Sequence, residues 1–101
     1  MKTTIKGGLL ALTPAAALLA ACASEGPTPQ LVDARRAYEQ ARRTEAQRLA
    51  PDRVLSAKVA LDSAESAHKV EPGSSKERCY AYVAVRRALL AGCLGHAEAL
   101  L

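Results

Sequence analysis

The chain has 101 residues, enough for one small domain, and it is half hydrophobic yet holds no Phe, no Trp and only three Tyr. Alanine supplies much of the apolar content, so any core is thin. The formal charge is +4, half of it due to Lys2 and Lys6 at the extreme N-terminus, which is too weak an excess to imply nucleic acid when aromatic stacking residues are also scarce.

Met1 to Lys6 carries two lysines, and Gly7 to Ala21 carries no charge. That uncharged run is about 15 residues, short of the roughly 20 needed to cross a bilayer as a helix. A positive start, a short apolar middle interrupted by Pro14 and small residues before a break predict a signal peptide over 1–21. Its end, Leu19-Ala20-Ala21-Cys22, resembles the bacterial lipobox. The resemblance implies cleavage before Cys22, a diacylglyceryl thioether on its sulfur and, usually, acylation of the new amino terminus. Two or three chains hold a protein stably at a membrane where one does not. Ala23, in place of an Asp, resembles the pattern that sends enterobacterial lipoproteins to the outer membrane. The expected location is therefore the cell envelope, lipid-anchored and facing the periplasm.

Residues 22–29 read as the lipidated cysteine and a flexible tether, because ASEGPTPQ (23–30) has two prolines, a glycine and no hydrophobic period. Thr28-Pro29 doubles as the cap and first position of a helix. A helical domain is expected over 30–101, with helices at about 30–50, 52–70 and 75–100. In the first, Leu31, Ala34, Tyr38 and Ala41 recur at spacings of three and four, and ARRAYEQ is echoed by ARRTEAQ one heptad later. Pro51 ends this helix or starts the next. In the second, Val54, Ala57, Leu61 and Ala64 form the apolar face, with His68 one turn further on. Glu71-Pro72-Gly73-Ser74-Ser75 is a turn, and Ser74 with Glu77 fits a capping box for the third helix. In that helix Tyr80, Val83, Arg87, Leu90, Leu94, Ala97 and Leu101 sit on one stripe and Tyr82, Val85, Leu89, Cys93 and Leu100 extend the apolar surface, so the helix is expected to be either central to the bundle or open to a partner. The fold class is all-α: an antiparallel helical hairpin or three-helix bundle with alanine-rich, coiled-coil-like seams.

Over about residues 22–95 the chain resembles a family of small alanine-rich bacterial lipoproteins classed as a domain of unknown function. The residues that carry the resemblance are the lipobox, LVDARRAYEQA, LAPDRVLSAKVALDSAESA, EPGSS and AYVAVRRALLA. The family often precedes an OmpA-like peptidoglycan-binding domain, and no catalytic residues are described for it. The chain stops at Leu100-Leu101 where longer members continue, so an alternative expectation is a truncated remnant of a longer lipoprotein.

No catalytic constellation, phosphate loop, metal-ligand spacing or cofactor motif is present, and neither an enzyme activity nor a small-molecule substrate is expected. Cys79 and Cys93 lie 14 residues apart, about 21 Å along one helix, beyond the roughly 7 Å Cα separation a disulfide tolerates. They are expected to be buried thiols or, less favoured, to link two chains. His68 and His96 read as interface or surface imidazoles. Arg35, Arg36, Arg42, Arg43, Arg48 and Arg53 read as a solvated helix face with internal pairs rather than a phosphate-binding stripe. The expected partners are the membrane, through Cys22, and a helical protein or a second copy. The expected function is binding or scaffolding.

Overall fold

Thr28 opens the helical part of the chain. Its extended backbone and its Oγ1, which accepts from the Leu31 N–H at 3.2 Å, cap α1, Pro29–Arg42, with Pro29 at a position that needs no donor. A computed structural model describes residues 26–101 of the chain. The signal segment 1–21 and most of the expected tether lie outside these residues. After α1 come a single turn, α2 (Ala46–Leu49), then α3 (Pro51–Val70) and α4 (Ser75–Leu100), with no strand among the described residues. The fold is all-α, as expected: three long helices and one short turn in the first connection.

The helix expected over 30–50 is divided. Thr44 breaks it: its Oγ1 donates to the Ala41 carbonyl at 2.7 Å and accepts from the Ala46 N–H at 3.2 Å. A threonine hydroxyl thereby takes over backbone partners that a continuing helix would have used. The break turns Ala46 onto α4, where it meets Gly95. A Cβ built on Gly95 would lie 2.5 Å from the Ala46 Cα, so only glycine admits this approach. Pro51 starts α3, after an Ala50 held outside the helical region. Glu71, Pro72 and Gly73, whose φ of 77° suits glycine, carry the chain round to the Ser74 cap of α4.

The buried face of each helix is mostly alanine. Leu31, Ala34, Ala60, Leu61, Ala64, Ala81 and Ala84 form one cluster. Ala41, Ala46, Val54, Ala57, Ala88 and Ala91 form a second. Tyr38, half-buried, packs against both. On α1 and α3 the positions expected from the spacing are buried, apart from the half-buried Tyr38. On α4 they are not. The buried stripe is Glu77, Ala81, Ala84, Ala88, Ala91 and Gly95, while Tyr80, Tyr82, Val83, Leu89 and Leu90 are exposed. The spacing of three and four fits both stripes, and side-chain volume decides between them. Leu31 and Tyr38 of α1 and Val54 and Leu61 of α3 occupy the clusters that the α4 alanines complete, so small side chains on α4 face the large ones from the other helices.

Candidate functional site

The lipidation site expected from sequence, Leu19, Ala20, Ala21 and Cys22, lies outside the described residues. The structure does show where the chain that leaves Cys22 joins the bundle. The Thr28 N–H donates to Glu77 Oε2 at 2.8 Å, across 49 residues of sequence. The start of α1 is thereby tied to the first turn of α4.

Glu77 is fully buried. Its backbone N–H donates to the Ser74 Oγ at 3.1 Å, one half of the expected capping box. Its carboxylate does not complete the box at Ser74 but reaches further. Oε1 accepts from the Gly73 N–H at 2.8 Å and pairs with His68 Nδ1 at 3.0 Å. Burial alone would raise its pKa. The hydrogen bonds from Thr28, Gly73 and His68 outweigh that and bring it down from 4.5 to about 2. The group is therefore ionised, and an ionised carboxylate only accepts, so the His68 Nδ1 carries the hydrogen. Position in the first turn of α4 adds the favourable end of the helix dipole. No buried side-chain oxygen or nitrogen among the described residues lacks a partner. Sequence reading found the Ser74–Glu77 pairing but missed that this carboxylate is the hub of one end of the bundle. The available signal was its phase: Glu77 is a charge in the first turn of α4, in register with Ala81, Ala84, Ala88 and Ala91.

Beside this hub an open hollow of about 350 Å³ lies between the end of α3 and the start of α4, lined among others by Ser63, Ser66, Val70, Ser74, Lys76 and Tyr80. No group of His, Cys, Asp and Glu among the described residues is arranged to hold a metal ion. The arginines largely behave as a solvated face. Arg36 meets Asp33 at 3.5 Å, and Arg42 and Arg43 meet Glu39 at 3.2 and 3.7 Å. Arg35 is different, since its Nε and NH2 donate to the two oxygens of Glu65 on α3, each at 2.7 Å. That fork, aided by its charge, lowers the Glu65 pKa and raises that of Arg35. His96 Nδ1 lies 3.4 Å from Glu45 Oε1 and links α4 to the turn before α2.

Cys79 and Cys93 are free and exposed, which corrects the expectation of buried thiols. They sit on the outer side of α4 because its alanines occupy the inner one.

The profile of a family described as "Domain of unknown function (DUF4398)" matches residues 29–99. No curated protein and no solved structure matches the chain.

Proposed function

The chain belongs to that family of domains of unknown function, and from this premise we propose that it is a lipid-anchored lipoprotein of the cell envelope whose helical domain binds or scaffolds a partner. The observation that carries the proposal is Leu19-Ala20-Ala21-Cys22 behind two lysines and a short uncharged run. Processing would leave Cys22 as the first residue, with a diacylglyceryl group on its sulfur and an acyl group on its amine. The outer membrane, on its periplasmic side, is the destination that Ala23 favours. From Cys22 to Thr28 the chain reaches at most about 20 Å. On this reading, the end of the bundle that holds Thr28, Glu77 and the α3–α4 turn faces the lipid. Binding rather than turnover suits the residues, because the one buried carboxylate among the described residues, Glu77, has both oxygens engaged in holding backbone and His68.

Metabolic labelling with a palmitate analogue tests the anchor. The full chain should take up label and fractionate with membranes, and Cys22→Ala should do neither. Labelling that survives Cys22→Ala overturns the proposal.

A further inference from the structure

Helix α4 carries two heptad seams on opposite sides. The inner one, from Glu77 to Gly95, is buried against α1, α2 and α3. The outer one, Cys79, Tyr82, Arg86, Leu89, Cys93 and His96, repeats the same alternation of three and four residues and is exposed throughout. Its shoulders carry no acidic residue. Val83 and Leu90, also exposed, flank it on one side, and Gly92 lies on the other. The two glycines of α4 differ. Gly95 is required by Ala46, whereas a Cβ on Gly92 would meet nothing within 4 Å. A mid-helix glycine destabilises relative to alanine. Nothing in the bundle accounts for the one next to Cys93, whereas close approach of a second helix would.

We propose that the outer face of α4 is a self-association seam, where a second copy packs α4 against α4, parallel and in register, and Cys79 and Cys93 each form a disulfide with their own counterpart. The two cysteines share a face but are about 21 Å apart along the helix, so one cannot reach the other within a chain. A parallel two-fold pair brings each onto its equivalent. Packed helices have axes about 8–10 Å apart and Cα radii of about 2.3 Å, which leaves facing Cα atoms close to the range a disulfide requires. An antiparallel pair that joined Cys79 to Cys93 would centre on Arg86 and set Tyr82 opposite Leu90, outside the seam. Noncovalent affinity is weak, because Arg86 and His96 interrupt the apolar positions. The Arg86 guanidinium sits over its own Tyr82 ring, 5.4 Å from the centroid. The covalent bonds therefore hold the pair. Each forms from two thiols, with loss of two protons and of two electrons to a disulfide oxidant that is itself reduced to two thiols. The proposal rests on the envelope reading only for the presence of such an oxidant in the cell.

The test uses the full chain with Cys22→Ala, so that two thiols remain, and oxidised glutathione as the oxidant. Nonreducing electrophoresis should show a band of twice the mass that reductant removes. Trypsin cuts after Arg78, Arg86 and Arg87, so Cys79 and Cys93 leave on separate peptides, 79–86 and 88–101. Each should be linked to itself. Peptide 79–86 linked to 88–101, or a monomer carrying only glutathione, overturns the proposal. Gly92→Leu should cut dimer yield several-fold with monomer helicity unchanged, and an unaltered yield also overturns it. If the wild-type chain, alkylated in cells, is monomeric while the purified chain dimerises, the seam stands and the envelope reading fails.

Discussion

Glu77 and the two glycines of α4 show how much one position can decide. Glu77→Ala leaves the Thr28 and Gly73 N–H groups without their acceptor and should cost about 2–4 kcal/mol. Glu77→Gln keeps the shape but turns an amide donor toward one of those N–H groups, so it should also destabilise, by less. Thermal unfolding followed by circular dichroism at neutral pH checks both. The same carboxylate sets an acid limit. Its pKa is lower in the folded state, so the unfolded chain binds more protons between 4.5 and about 2. The stability it contributes is complete above 4.5 and is lost as the pH falls toward 2. In Glu77→Gln that part of the pH dependence should disappear, and an unchanged acid limb in the variant would refute the assignment. At Gly95 an added methyl collides with the Ala46 backbone, so Gly95→Ala should destabilise by about 1–3 kcal/mol. At Gly92 there is room, and Gly92→Ala should stabilise the monomer by about 0.5–1 kcal/mol. The opposite signs of two identical substitutions, three residues apart on one helix, can be read from paired denaturant curves.

At the scale of elements, the break after α1 depends on Thr44. Thr44→Val keeps the branched shape and removes both hydroxyl hydrogen bonds, so the Ala46 N–H loses its partner and the Ala41 carbonyl keeps only the Thr44 N–H, at 3.2 Å. A loss of about 1 kcal/mol is expected in the unfolding free energy, together with faster amide exchange at Ala46. This element shows where the sequence could be read and where it could not. The ends of α3 and the start of α4 were legible because Pro51, Pro72, Gly73 and Ser74 act locally, through fixed φ, positive φ and a side-chain cap. The division of the first helix was hidden because a threonine inside a heptad echo breaks a helix only when something rewards the bend. The reward is Gly95, 51 residues away from Thr44, which gives Ala46 a place to sit. The inner face of α4 was hidden for a related reason. Two stripes of equal period compete there, and apolar size favours the wrong one unless the large side chains of α1 and α3 are already known to lie opposite. The hub at Glu77 was half legible: its backbone half is a local capping signal, and its carboxylate half depends on Thr28 and His68 arriving from other helices.

At the scale of the whole molecule, the thinness of the core raises the question of whether the bundle unfolds as one unit. The two clusters could in principle melt separately, since one holds Leu31, Leu61 and Ala64 and the other Val54, Ala57 and Ala91. Three features couple them. Helices α1, α3 and α4 each contribute buried residues to both clusters, so neither can open without fraying all three helices. Tyr38 packs against both at once. The ties outside the clusters, Thr28 to Glu77 at one end and His96 to Glu45 at the other, join α4 to the α1 side at both extremes. A single cooperative transition is therefore expected, with far-UV circular dichroism and tyrosine absorbance giving coincident curves. Tyr38→Ala removes the shared side chain and should lower the unfolding free energy by about 2–4 kcal/mol, which in a domain of this size is a fall of more than ~10 °C in Tm. If Tyr38 is the main coupler, the variant's circular dichroism transition should split or broaden as well as shift. If the helices themselves couple the clusters, it should stay a single transition at lower temperature, and the long alanine seams shared by α3 and α4 favour that result. Wild-type curves that already fail to coincide would show that the two clusters are independent and that the bundle needs a partner to act as one body.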